Sequence, residues 1–274
     1  MSTSKATSRS YHLTPDRFVV GLLVVEVLLL LSDQFRWFPF NDRKGWTVLI
    51  GMAVLGAAIL VLLAWCGLGL ILRRSFRFGL RSLLLFVLVC AVVCSWFAVK
   101  LHRARKQREA AEEIVKAGGG VFYDYEAQGA EPPAAWLRKL FGDDFFGNVK
   151  AAFIRGPKSG DGVLGRLKDL AELEVLYLEA SDVNDADLEH LRALTRLKFL
   201  NLWGPRVTDA GLEHLTGLTN LEALALNCPR ITDAGIGHLR RMTSLRDLDL
   251  ICTRASEEGV KKLKEALPNC RVYR

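Results

Sequence analysis

LEVLYL (173–178), LKFLNL (197–202), LEALAL (221–226) and LRDLDL (245–250) begin 24 residues apart, each with Leu at its first, fourth and sixth positions. Leucines two apart share one face of a β-strand. Counting on from the first leucine, position 11 is Val183, Val207, Ile231 and Ala255, position 16 is Leu188, Leu212, Ile236 and Val260, and position 19 is Leu191, Leu215, Leu239 and Leu263. A degenerate first copy begins at Val149, with Ala152, Ile154, Leu164, Leu167 and Leu170 in phase. Five copies therefore run to the last residue.

A strand of the form LxxLxL followed by a turn and a helical return is the leucine-rich repeat pattern. It predicts an α/β leucine-rich repeat solenoid of about five 24-residue copies, with parallel strands and convex helices. One copy buries too few apolar side chains to offset its own ordering, so the copies must stack around a shared core. The return half is nearly duplicated in RVTDAGLEHLTGL (206–218) and RITDAGIGHLRRM (230–242). There Val207 points inward, Thr208 is placed to cap the return helix, and Asp209 suits its first turn. Asn184 and Ser256 hold the same cap position, and Pro205 and Pro229 mark the exit from the strand. His190, His214 and His238 recur at one phase, but each precedes a core leucine and so faces outward, with no carboxylate in phase. No metal or cofactor site is expected.

Strand positions 3, 5 and 7 point away from the leucines and line the concave face. They carry Ala151, Phe153 and Arg155, then Val175, Tyr177 and Glu179, then Phe199, Asn201 and Trp203. Ala223, Ala225 and Asn227 follow, and Asp247, Asp249 and Ile251 end the series. Exposed aromatic side chains are typical binding anchors. The candidate protein-binding residues are therefore Phe153, Arg155, Tyr177, Glu179, Phe199, Asn201, Trp203 and Asn227, with Asp247 and Asp249 as an acidic end.

The rest of the chain is of a different kind. Residues 1–116 carry 16 Lys+Arg and 7 Asp+Glu, whereas 149–274 carry 19 and 18, so the net +7 resides in the N-terminal part. A near-neutral repeat region argues against nucleic acid. Trp46–Leu72 is 27 residues without a charge and Ser82–Val99 is 18. Phe18–Leu31 is shorter and contains Glu26. Runs of this kind predict an α-helical transmembrane domain. The expected division is a tail (1–17), a membrane domain (18–99, with candidate helices 18–38, 46–72 and 82–99), and a basic juxtamembrane helix with a Gly linker (100–120). An aromatic-rich N-terminal cap (121–148) and the repeats (149–274) complete it. With three crossings the flanking basic residues divide seven to nine, and with two they divide twelve to four, so the number of crossings decides the side of the repeats. Lys100–Arg108 is a candidate contact for anionic lipid headgroups.

Six cysteines are present without metal-ligand spacing. Cys228 and Cys252 share a repeat phase, which predicts a ladder of small buried side chains, with a disulfide as the alternative.

The stretches RFGLRSLLLFVLVCAVVCSWFAVKLHRARKQREA (77–110), GGGVFYDYE (118–126), WLRKLFGDDFFGNV (136–149) and the TDAGL repeats together resemble the membrane-anchored leucine-rich repeat proteins of planctomycete bacteria. The TDAGL form is also similar to the repeats of F-box-type substrate adaptors, although no F-box-like segment is present. The resemblance implies a solenoid tethered to a bacterial cell membrane, and no established reaction. No GxSxG, HExxH, P-loop or GxGxxG in a strand-to-helix context appears, and Asp143-Asp144 is the nearest carboxylate pair. The expected function is thus a non-catalytic, membrane-tethered protein-interaction module. The alternative is a small proton- or ion-linked transporter with Glu26 in its path and the repeats as a regulatory appendage.

Overall fold

The computed structural model describes Gly21 and residues 80–127, 135–156, 161–179 and 182–274. They fall into two compact units, Met1–Val99 and Lys100–Arg274.

The second unit is an α/β structure around one seven-stranded sheet. Its strands are β1 (Gly120–Tyr123), β2 (Val149–Arg155), β3 (Val175–Glu179), β4 (Phe199–Trp203), β5 (Ala223–Asn227), β6 (Asp247–Asp249) and β7 (Arg271–Tyr273). They lie side by side in chain order. β1 is antiparallel to β2, and every later pair is parallel. The register is the sequence period: Leu176 faces Leu200, Leu200 faces Leu224, and Leu224 faces Leu248. Leucine therefore stacks on leucine from copy to copy, and the inward positions are almost entirely withdrawn from water. β7 continues the same register, with Leu248 facing Val272. The leucine pattern does not announce this strand, because Arg271–Tyr273 contains no leucine.

The returns are short. A copy of 24 residues, less its strand and two turns, leaves room for about two turns of helix. α4 (Asp161–Leu164), α5 (Asp209–Glu213) and α6 (Asp233–His238) are each a turn or so, and Ala186–Ala193 is wound as a tighter 3-10 helix. Only the last return, α7 (Glu257–Ala266), runs longer.

The N-terminal end of the sheet is covered by β1, α2 (Asp124–Ala127), α3 (Ala135–Phe141) and the C-terminal half of α1 (Leu80–Lys116). Ala104, Gln107, Ala110, Ala111 and Ile114 form one buried stripe along α1, at the spacing of a helix face. Ala110 and Ile114 belong to the repeat core itself. Gln107 pegs this helix in place. Its Nε2 donates to Asp144 Oδ1 (3.0 Å) and to the Gly147 carbonyl (2.9 Å), while its Oε1 accepts from Val149 N (3.3 Å). The chain then reverses through Gly118, whose φ of 88° suits glycine at a helix C-terminus. At Gly119 a Cβ would collide with the Phe153 carbonyl, so the close approach of β1 to β2 also requires glycine.

Two expectations are corrected here. The solenoid is not joined to an α-helical transmembrane domain among the described residues, where no helix is long and apolar enough to cross a membrane. Between Arg81 and Lys100, α1 has 18 uncharged residues. At 1.5 Å rise that is about 27 Å, short of a hydrocarbon core of about 30 Å. The other expected spans, 18–38 and 46–72, lie outside the described residues apart from Gly21, and so does Glu26. Within residues 100–116 the apolar stripe of the helix is docked into the repeat core. The second correction concerns Cys228 and Cys252, which form neither a ladder nor a disulfide: both are free, and only Cys228 is buried. β5 ends at Asn227 and β6 at Asp249, so both cysteines lie beyond their strands, and Cys252 sits in the following turn at φ 61°.

Candidate protein-binding face

Neighbouring copies are joined by a clamp at the edge where strands hand over to returns. Asp185 accepts from Thr208, through Oδ1 from its N–H (2.7 Å) and through Oδ2 from its hydroxyl (2.6 Å). Asp209 does the same for Thr232, at 2.7 and 2.6 Å. Asp233 repeats it for Ser256, at 2.6 and 2.5 Å. Each TDAG segment therefore supplies a Thr to the copy before it and an Asp to the copy after it. Its glycine makes room: a Cβ on Gly211 would fall 2.5 Å from Asp185 Oδ1, and Gly235 and Gly259 meet Asp209 and Asp233 in the same way. Thr208 makes no side-chain bond to its own helix, so the expected helix cap at this position is instead a tie to the preceding copy. Thr232 and Ser256 do both, since their hydroxyl oxygens also accept from Ala234 N and Gly259 N.

One copy departs from the rule, and the departure is informative. Asp187 stands in the glycine phase and is buried. Its own Oδ2 accepts from Asn184 N (2.9 Å), the N–H that a preceding Asp would otherwise take.

A second ladder runs along the strand-entry edge. Position 2 reads Lys150, Glu174, Lys198, Glu222 and Arg246, alternating in sign. Glu174 pairs with Lys150 (2.5 Å) and Lys198 (2.8 Å). Hydrogen bonds from these two ammonium groups hold its carboxyl below the usual range. The Leu-based alignment overlooked this alternation, although the sign change at one repeat phase was there to be read.

Between these edges lies the face. Phe153 and Tyr177 are register partners whose rings stack at 4.5 Å and 5°. Tyr177 meets Phe199 at 5.1 Å. Phe122, from the antiparallel strand β1, meets Phe153 edge-on at 5.4 Å. The structure thus brings three of the expected aromatic residues together and adds Phe122, which the repeat count missed because β1 lies outside the period. Trp203 is 41% exposed and stands apart from the row. Together with Arg155, Glu179, Asn201 and Asn227 it lines a shallow depression of about 430 Å³. Arg155 Nε pairs with Glu179 Oε2 at 3.0 Å.

One of the two carboxylates of the expected acidic end has a cationic partner among the described residues. Asp247 pairs with Arg271 of β7 at 2.8 Å, and Asp249 Oδ1 accepts from Ile251 N at 2.9 Å. The Asp143-Asp144 pair belongs to the cap. Asp143 pairs with Arg138 (3.4 Å), while Asp144 Oδ1 accepts from Gln107 and from the Tyr123 hydroxyl (3.0 Å each). Burial raises the Asp144 carboxyl above its ordinary range, and burial beside that carboxylate raises the Tyr123 phenol strongly.

No family model matches this chain, and no curated protein matches it. Among solved structures it is similar to an internalin (inlF) from Listeria monocytogenes, with 21% identity and a TM-score of 0.34. The match covers 44% of this chain and 34% of that one, so this chain spans about a third of the internalin's length. The leucine-rich repeat fold rests on the sequence period and the strand register rather than on this likeness.

Proposed function

We propose that residues 100–274 are a non-catalytic protein-binding module that engages its partner through the concave side of the parallel sheet. The observation that carries this reading is the contiguous aromatic row from Phe122 through Phe153 and Tyr177 to Phe199. These residues sit on four adjacent strands, on the side of the sheet opposite the leucine core. Aromatic residues give large contact area at small entropic cost and dominate binding energy where they cluster. Their backbone is held by strand pairing, and the Asp185–Thr208 clamp also ties the copies of Tyr177 and Phe199, so the surface is preorganised for a partner.

The test is a Phe153→Ala/Tyr177→Ala double variant of the full chain, compared with wild type in crosslinking capture from cells of the source organism. Specific partners should fall at least about tenfold, corresponding to roughly 1.4 kcal/mol or more. Unchanged capture by a variant with an unaltered melting curve overturns the proposal.

A further inference from the structure

The depression around Trp203 has a chemistry different from the aromatic row. Arg155, Glu179, Trp203 and Asn227 are consecutive register partners across β2, β3, β4 and β5, and Asn201 lies two residues before Trp203 on the same face. The indole is therefore flanked on one side by a guanidinium–carboxylate pair and on the other by a carboxamide, with a second carboxamide at its base. Four of the five lining residues end in planar polar groups. The apolar element is the Trp203 side chain, 41% exposed, rather than an enclosed hole.

This composition excludes some occupants. A protein side-chain anchor needs an apolar pocket that closes around it, and none is present in this depression. The charges of Arg155 and Glu179 cancel within their own ion pair, so a charged ligand gains little. The Asn201 and Asn227 carboxamides have no hydrogen-bond partner among the described residues. Each offers a donor and an acceptor side by side. What fits is a ring with one C–H face to lie on the indole and a rim of neutral hydroxyls to meet paired donors and acceptors. We propose that the Trp203 depression binds a neutral hexopyranose unit of a glycan. Its volume of about 430 Å³ falls within the usual range of small-ligand sites. Trp203 supplies the platform, and Asn201, Asn227 and Glu179 receive the hydroxyls.

The experiment uses the immobilised full chain and four neutral tetrasaccharides, terminated in glucose, galactose, mannose or N-acetylglucosamine, with an uncharged decapeptide as a fifth probe. At least one tetrasaccharide should be retained. Trp203→Ala and Asn227→Ala should each weaken that retention at least tenfold, Trp203→Phe should keep part of it, and Phe153→Ala/Tyr177→Ala should leave it unchanged. Asn227→Ala removes no core packing, so it reads the site even if Trp203→Ala misfolds. Retention of none of the four, retention of the decapeptide alone, or full retention by Asn227→Ala overturns the proposal. Because the aromatic double variant reads protein capture and the Trp203 and Asn227 variants read sugar retention, either proposal can fail while the other stands.

Discussion

The clamp edge and the concave face are built from the same 24-residue unit, yet they treat repetition in opposite ways. At the clamp, Asp185, Asp209 and Asp233 make the same pair of bonds to Thr208, Thr232 and Ser256, copy after copy. On the face, the shared seventh position changes from Arg155 to Glu179, Trp203, Asn227 and Ile251. A contact between neighbouring copies must be self-complementary along the stack, so its residues are constrained to repeat. A surface that meets something else is under no such constraint. Sameness in a repeat therefore marks what holds the fold, and variation marks where binding has room to be specific.

Breaking the clamp should cost the most. Asp209→Ala removes the acceptor for both the N–H and the hydroxyl of Thr232, and hydrogen bonds to a charged group contribute about 1.5–3 kcal/mol each. A loss of about 3 kcal/mol is expected in urea unfolding, and a loss below about 0.5 would put the clamp on a par with ordinary surface positions. Gly235→Ala tests the same contact by overfilling it, because the new methyl meets the Asp209 carboxylate. It should cost about 1–3 kcal/mol, against a few tenths of gain for a Gly→Ala change at an unstrained open site.

Asp187 sharpens the comparison from the other side. Asp187→Gly restores the consensus letter but should still destabilise, by about 1–2 kcal/mol, because Asn184 N then loses the acceptor it has within its own copy. A neutral or stabilising result would show that glycine is preferred at this phase whatever precedes it.

Acid separates the repeats from their cap. Asp233 is held below the usual carboxylate range, chiefly by the Ser256 hydroxyl. It contributes stability above the unfolded carboxylate pKa, and that contribution is lost as pH falls through its folded value. Asp144 is raised by burial, so its contribution is present below the unfolded pKa and is lost as pH rises through its folded value. Asp144→Asn should therefore remove an acid-favoured contribution, leaving a steeper loss of the urea midpoint between pH 7 and 3 than in wild type. The smallest effect is expected on the face: Asn201→Ala should change stability by less than about 0.5 kcal/mol, since its carboxamide supports nothing in the described residues.

The period of 24 was legible in the sequence, and with it the parallel strands, their register and nearly every buried leucine. Those follow from spacing, because side-chain direction along a strand is set by parity and stacking by phase. The positions of Phe153, Tyr177, Phe199 and Trp203 on one side of the sheet were legible for the same reason. The partner of Asp209 was not. Its carboxylate reaches Thr232, 23 residues on, and that distance is closed only by stacking the copies. Phe122 joins the aromatic row through an antiparallel strand outside the period, and the half-polar helix around Gln107 becomes core because the open end of the solenoid needs a lid. Local pattern determined which residues face inward. Tertiary structure decided which polar groups meet, because a hydrogen bond depends on where two separate pieces of chain are finally held.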